Sequence, residues 1–527
     1  MKRTLISILV LIFLCGCKSN IELPSGGNKD EEKLTPVKGG TINLFCDFPD
    51  TLNPVVTGFK SVSEVMYLVY DGLFRTENNF SSTPVLATSC TYENNNTRCI
   101  VNLRKDVTFH NGTSFDANDV VSTIDYIRST GSKYNSNLKN VSSYYAQGDG
   151  MVVFELISPQ PNFSNLLDFP ILPAECSGDD FLAENKYFLP CGTGKYKFVS
   201  NDEKTLTLSV YEDNWYGDEP YAENIKITYI KDTGIAKYTF RAMETDIITT
   251  GLYSWGDTSM TGEFSTYEYE SNRLTFIGLN CSNIALSDKN VRNALSASVD
   301  KEKLISDVMY THAAAASFPI NPNAFFASGG HISSHYEAGK ALAALKNSGW
   351  LDLDNDGVLD KYINQEQYSL SFNMIVNSSN NTSVRVAEWI AQNMRNEGVR
   401  INIVPLSYPS YIGAIQNGEY DMFVGRVDIA NDCDISFMLR SGGEQNFYSY
   451  SSKNMDDALY KISTADGANS VKGAYKEFET VFKDETPVIP LYFETDAVFS
   501  SVRLKGELDV SRTGIFTGFH NVYVKYK

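Results

Sequence analysis

The residues best spaced for chemistry are Asp352-Leu353-Asp354-Asn355-Asp356-Gly357-Val358-Leu359-Asp360. Carboxylates at the first, third, fifth and ninth positions around a glycine at the sixth follow the first part of a calcium loop. The twelfth position, where a bidentate acid would complete the shell, is Ile363. Two readings stand: a structural Ca²⁺ site held by Asp352, Asp354, Asp356 and Asp360, and a metal-free acidic turn. Neither is catalytic, and no other cofactor is implied. Gly192-Thr193-Gly194-Lys195 is a fragment of a phosphate loop, but Tyr196 follows the lysine and Leu189 stands where the first glycine belongs. There is no Gly-x-Ser-x-Gly nucleophile elbow. His331 and His335 are four apart without an intervening glutamate, in a run that follows Gly329-Gly330. The chain offers no foothold for catalysis, and an enzyme is not expected.

The cysteines point to an address. Met1-Lys2-Arg3 precedes an apolar run from Leu5 to Leu14, the layout of a signal peptide. The run is shorter than the ~20 residues that span a bilayer. It ends in Leu14-Cys15-Gly16-Cys17, which resembles a bacterial lipobox. Residues 1–16 are therefore expected to be removed, leaving Cys17 as the lipidated first residue of a chain on the extracytoplasmic face of the cell membrane. Acyl chains contribute about 0.8 kcal/mol per buried CH₂, so more than one gives a stable anchor. Residues 17–38, with Pro24, Gly26, Gly27 and Pro36, read as a flexible tether. Of the remaining cysteines, Cys90 and Cys99 flank Asn94-Asn95-Asn96, a turn expected to set them directly opposite each other across a hairpin. A disulfide and a pair of thiols are both open there. Cys46, Cys176, Cys191, Cys281 and Cys433 make the count odd, so at least one thiol stays free or pairs outside the chain.

The elements that position these residues follow from periodicity. Ser61 is placed to cap a helix whose Val62, Val65, Met66, Val69 and Leu73 share one face. Leu103–Val121 reads as strand, Asn111-Gly112 turn, and a helix capped by Asp116 with Asp119 in its first turn. From Asp288 onward, helical patterns alternate with the strands Leu370–Val376, Arg400–Val404 and Tyr420–Val424, which predicts an α/β lobe with a largely parallel sheet. At 527 residues the chain exceeds a single core. A net charge of −19 argues against nucleic acid, which needs basic patches. Thirty-one tyrosines are ample to line an extended cleft.

The wording of Leu103-Arg104-Lys105, Phe109, Asn111-Gly112-Thr113 and Ala117-Asn118-Asp119-Val120 resembles the signature of the family 5 extracellular solute-binding proteins of ABC importers, the peptide- and nickel-binding group. Thr51-Leu52-Asn53-Pro54, Tyr70-Asp71-Gly72-Leu73, Pro84–Ala87, Gly192-Thr193-Gly194-Lys195-Tyr196, Val291–Leu295, Asp300-Lys301, Tyr420-Asp421-Met422 and Ile489-Pro490-Leu491 follow in family order. The resemblance covers nearly all of residues 39–527. Cys90 replaces a tryptophan, Lys195 a common proline, and Arg426-Val427 a glycine-tryptophan.

What the resemblance implies is an α/β protein with a two-lobed type II periplasmic-binding-protein-like fold, carrying an extra insert domain on the first lobe. Lobe I would comprise 39–75, 189–272 and 488–527, the insert 76–188, and lobe II 273–487. Ligand would be enclosed by hinge closure and delivered to permease subunits served by a cytoplasmic ATPase, the receptor acting as a monomer. An oligopeptide is the expected ligand. A nickel chelate, an oligosaccharide, or a surface adhesin or signalling receptor on the same fold are the alternatives. In peptide-binding relatives an aspartate beyond the tyrosine-aspartate strand holds the ligand's amino terminus, and Asp428 and Asp432 both match that region. Arg426 could hold a ligand carboxylate. Tyr408, Tyr253, Trp255, Phe45 and Asp47 fall in segments that border the cleft in this family.

Overall fold

The computed structural model describes residues 36–176, 188–231, 235–250, 264–327, 336 and 339–525. Cys17, Tyr253, Trp255, His331 and His335 lie outside the described residues.

The first strand, β1 (Thr41–Asp47), alternates buried Ile42, Leu44 and Cys46 with half-buried Asn43, Phe45 and Asp47, since successive strand side chains take opposite faces. It pairs in parallel with Asn224–Ile230, and the antiparallel strands Thr205–Val210 and Tyr196–Asn201 complete a four-stranded sheet. The helix α1 (Lys60–Met66) is shorter than its apolar spacing predicts, and Ser61 does not cap it. Ser61 Oγ instead donates to Asp47 Oδ2 at 2.5 Å and accepts from Asp47 N at 2.9 Å, tying the helix to the end of β1. Past Met66 the backbone serves another partner: Gly194 N and Tyr196 N donate to the carbonyls of Val69 and Leu68. A Cβ on Gly192 would lie 2.0 Å from the Val69 oxygen, and one on Gly194 2.7 Å from that of Leu68. The Gly192-Thr193-Gly194 motif is thus a close backbone approach, not a phosphate cradle.

The insert region holds a four-stranded antiparallel sheet in the order Ala87–Glu93, Arg98–Leu103, Met151–Leu156, Val141–Ala146, covered by α2 (Ala117–Ser129). Asp116 accepts from Asn118 N at 2.7 Å, and Asp119 Oδ2 accepts from Asp116 N at 2.7 Å, the reciprocal capping that the spacing predicts. Asp119 Oδ1 also accepts from Ala174 N, so one carboxylate closes the helix start and holds a distant loop. Asn94, Asn95 and Asn96 all adopt positive φ, and the resulting register sets Tyr92, not Cys90, opposite Cys99. Cys90 faces Val101 instead; the two sulfurs meet diagonally at 2.8 Å.

Three further strands organise the remainder: β2 (Phe264–Leu279), β3 (Met422–Asp428) and β4 (Val488–Ser501). The sheet runs Ile247–Thr250, β4, β2, β3, Ser371–Asn377, Arg400–Leu406, with Ala313–Ala315 along β4. It is mixed, not largely parallel. Ser371–Asn377, Arg400–Leu406 and β3 are parallel because Asn381–Met394 and Tyr408–Asn417 supply helical crossovers between them. β2 and β4 lack such a crossover and pair antiparallel with each other and, for β2, with β3. The outer half of β2, Phe264–Glu270, pairs with Thr495–Ser501; its inner half, Leu274–Gly278, pairs with Val488–Phe493. The pairing thus changes partner segment in the middle of both strands.

One hydrophobic core is shared by the β1 sheet and the insert, from Leu44 and Val62 to Phe154. Two others fill the second half of the chain. Phe80 breaks this division. It sits at the turn between Phe74–Thr76 and Ser82–Pro84 with φ +64°, yet packs into the cluster of Phe276, Phe326 and Tyr475. Arg512 stacks on its ring at 3.5 Å. Phe80→Ala is expected to cost about 3–5 kcal/mol, read as a lowered urea midpoint; an unchanged midpoint would show that this ring does not bind the halves together.

Candidate functional site

The pairing between β2 and β4 shifts register between Glu270 and Leu274. A break of this kind bends a strand and re-aims its side chains, and here it presents Ser271, Asn272 and Arg273 to a cavity of about 290 Å³. The sequence cause is a polar run, Glu270-Ser271-Asn272-Arg273, just before the apolar end of the strand from Leu274 to Leu279. Beside the break, charges are stacked across three strands. Arg426 on β3 donates from Nε and Nη2 to the two oxygens of Glu494 on β4, both at 2.6 Å. Arg273 on β2 donates from Nη1 to Glu494 Oε2 at 3.1 Å and from Nε to Asp428 Oδ1 at 3.0 Å. Glu494 is only 4% exposed, so it is tolerable as an anion because two guanidiniums are on it.

The other walls come from the first lobe, the insert and the C-terminal segment. On α1, Lys60 pairs with Glu64 at 3.3 Å. Lys133 Nζ donates to Ser63 Oγ at 2.5 Å, and Tyr67 and Tyr134 share a 3.2 Å hydroxyl contact. Burial raises Glu64 and Asp496 above the usual carboxylate range and lowers Lys133, so this wall holds charges short of solvent. Asp168 accepts from Asn431 Nδ2 at 2.9 Å; burial pushes it up to about 6. Asn272 donates to the carbonyls of Ile429 and Ala430, while its buried Oδ1 has no hydrogen-bond partner. The cavity thus offers cations, carboxylates, aromatic faces and one waiting acceptor, drawn from both halves of the chain.

The expected contact residues distribute unevenly. Asp428 lines the cavity and is well exposed. Asp432 does not. It is buried, accepting from Gln160 Nε2 at 2.6 Å across the contact between the second half and the insert, and burial followed by the nearby Asp434 charge raises it to about 6. Arg426 is directed to Glu494 rather than toward an open carboxylate position. Asp47 is engaged with Ser61, Phe45 packs against the Phe240, Ile248 and Phe499 cluster, and Tyr408 stands exposed in the first turn of its helix; none of the three borders the cavity. Lys60, Glu64, Lys133, Asp168, Arg273, Asp496 and Arg512 were not legible as site residues, since they come from six separate segments, Lys60 and Glu64 sharing α1; only the polar run in β2 carried a local signal.

In the acidic loop, carboxylate oxygens of Asp352, Asp354 and Asp356 lie within 4.8 Å of one another. Asp360 is not with them: it is buried, accepting from Ser369 Oγ at 2.5 Å and Leu353 N at 3.3 Å. Asp352 and Asp356 accept backbone N–H groups of the same turn, and Arg400 pairs with Asp356. The carboxylates gathered at the turn are therefore Asp352, Asp354 and Asp356, without Asp360.

Residues 82–449 match the family described as bacterial extracellular solute-binding proteins, family 5 Middle. The chain is 23% identical over 525 residues to the oligopeptide-binding protein AppA of Bacillus subtilis (strain 168), covering 95% of each. It is 23% identical over 371 residues to the nickel-binding periplasmic protein of Escherichia coli (strain K12), covering 68% of this chain and 70% of that one. The solved structure of Bacillus subtilis AppA in complex with a nonapeptide superposes with a TM-score of 0.63 at 20% identity, covering 93% of this chain and all of the other.

Asp432 generates a pH prediction. Its folded value, about 6, exceeds its ordinary 3.8, so the folded state binds the proton more tightly. The stability this confers is full below 3.8 and is lost as pH rises through about 6. Asp432→Asn is expected to flatten the fall in urea midpoint between pH 4 and 7, since Gln160 can turn its amide to meet the new one. An unaltered pH slope would place the titration elsewhere.

Proposed function

The chain belongs to the bacterial extracellular solute-binding proteins, family 5, and from that premise we propose that it captures oligopeptides outside the cytoplasm for an ABC importer. As a member of that family it is a solute receptor, not an enzyme, and its mixed α/β architecture is that of the family's two-lobed type II fold. No helix among the described residues is long and apolar enough to cross a membrane. In this reading residues 1–16 are a signal peptide, Cys17 carries the lipid, and 17–38 tether a monomeric receptor at the membrane. Closure around the ligand then forms the surface presented to permease subunits.

The observation that favours a peptide is the alternation of charge around the 290 Å³ cavity. Glu64, Asp428 and Asp496 suit an ammonium end, Lys60, Lys133 and Arg273 a carboxylate, and Asn272 Oδ1 a backbone N–H. A peptide presents all three groups along one chain, and extended peptides satisfy such sites through their backbone. The nickel-binding relative makes a metal chelate the second reading. Among the described residues no histidine lines this cavity, so the metal would have to arrive already complexed.

Native mass spectrometry of the full-length protein separates these. A ladder of bound peptide masses is expected, whereas a single nickel or oligosaccharide adduct would defeat the peptide assignment. Asp428→Ala should weaken peptide binding about tenfold, about 1.4 kcal/mol, by isothermal titration calorimetry. Unchanged affinity would remove the end of β3 from the site.

A further inference from the structure

A second cavity is bordered by described residues beside the interlobe one. A space of about 420 Å³ lies wholly among residues 67–85, Asp168, 194–218 and 513–520, with no contribution from 273–487. It adjoins the interlobe cavity, since Tyr67, Asp168, Thr513 and Gly514 line both. Because all its walls belong to one side of the hinge, an occupant can enter without closure. Nothing in peptide capture between the lobes uses it.

The chemistry of its walls is specific. Tyr70, Phe74, Tyr196, Tyr216, Phe516 and Phe519 are among its lining residues. Two half-buried carboxylates, Asp71 and Asp168, meet it. Asp71 accepts from Tyr216 OH and Thr193 Oγ1 (2.8 Å), and Asp168 from Asn137 and Asn431. All these donors are neutral. Among the described residues neither carboxylate has a cation within ion-pair distance, and burial holds both above the ordinary carboxylate range. Lys133 and Arg512 act on Asp168, and Lys195 on Asp71, only from beyond ion-pair distance, and the cations on the Asp71 side are engaged elsewhere. Lys195 Nζ sits 2.8 Å from both oxygens of Asp218, His520 Nε2 lies 3.1 Å from the same carboxylate, and Arg75 pairs with Glu77 at 3.0 Å. Lys195 Nζ also lies 4.5 Å from the centroid of the Tyr216 ring, so one wall already receives an ammonium on its π face.

We propose that this cavity is a second ligand site, one that takes a small organic ammonium with an apolar or aromatic body. The ammonium would supply the positive charge that Asp71 and Asp168 lack, while the body fills the aromatic lining. Asp168 also accepts from Asn431, which belongs to the second half of the chain. An occupant therefore bears on a contact that the interlobe cleft uses.

The test is calorimetric titration of the full-length protein at pH 7.5 with 2-phenylethylammonium and its neutral counterpart 2-phenylethanol. The ammonium is expected to bind at least tenfold more tightly than the alcohol. Asp71→Asn should remove that preference while leaving the alcohol's affinity unchanged. Thr517 lines this cavity and not the interlobe one, so Thr517→Lys should weaken the ammonium at least tenfold by placing a competing cation in the wall. Equal affinity for amine and alcohol, absence of binding by both, or full ammonium affinity in Thr517→Lys would each overturn the site. Peptide capture is scored separately by mass spectrometry, so the failure of one reading leaves the other standing.

Discussion

A buried carboxylate at the strand crossing is the constraint from which the site follows. Every residue of β4 is buried, and a lone anion in its middle would carry an uncompensated desolvation cost of several kcal/mol. Glu494 escapes this because Arg426 from β3 and Arg273 from β2 both donate to it. Arg273 can reach it only because the β2–β4 register breaks just there. The break, the two guanidiniums and the glutamate are thus one arrangement. It fixes β2, β3 and β4 relative to one another at the point where the chain passes between its halves. Arg273 then has one further donor position left for Asp428 at the cavity edge, so the structural pair and the exposed site residue are linked through one side chain.

The contact between the insert and the second half is of another kind. Amides make much of it: Asn96 to the carbonyls of Ser463 and Ala465, Gln160 and Asn162 to Asp432, Asn165 to the carbonyl of Asn431, and Asn431 to Asp168, beside the exposed Lys139–Glu444 ion pair. Each such bond contributes about 0.5–1.5 kcal/mol net, and leaving one unmade in a dry contact costs more than that. Polar contacts of this type can exchange for water when parted, whereas an apolar seam of the same extent would resist separation. Phe80 is the exception that gives the contact grip, one aromatic ring seated in the opposing core. The arrangement suits a joint that must hold and release.

Local chemistry was legible in the sequence; convergence was not. The Asp116 cap rests on neighbours within a few residues and appears as read, and the Asn94–Asn96 turn is present, though its register sets Tyr92 rather than Cys90 opposite Cys99. Ser61 looked like a cap for the same reason, but Asp47, fourteen residues earlier, outcompetes the helix N–H groups for its hydroxyl. Asp428 and Asp432 could not be told apart by pattern, because their difference is whether Gln160, over two hundred residues away, covers the side chain. Arg426 read as a ligand clamp because its geometry is that of a clamp; the carboxylate it grips belongs to β4. The mixed sheet was hidden likewise, since strand order depends on which strands enter from outside the local helix–strand alternation.

These arrangements bear on how little a ligand must do to close the molecule. A ligand that alone drives a two-state hinge from 1:99 to 99:1 must favour the closed form by about 5.5 kcal/mol. Here the amide contacts and Phe80 already join the insert, which shares its core with the first lobe, to the second half. They act against opening whether or not the cavity is filled. The differential affinity demanded of the ligand falls by whatever those contacts contribute, so modest contacts with each wall are enough. That favours a site of dispersed single charges over one deep, highly specific pocket, and dispersed charges are what Lys60, Glu64, Lys133, Arg273, Asp428 and Asp496 provide.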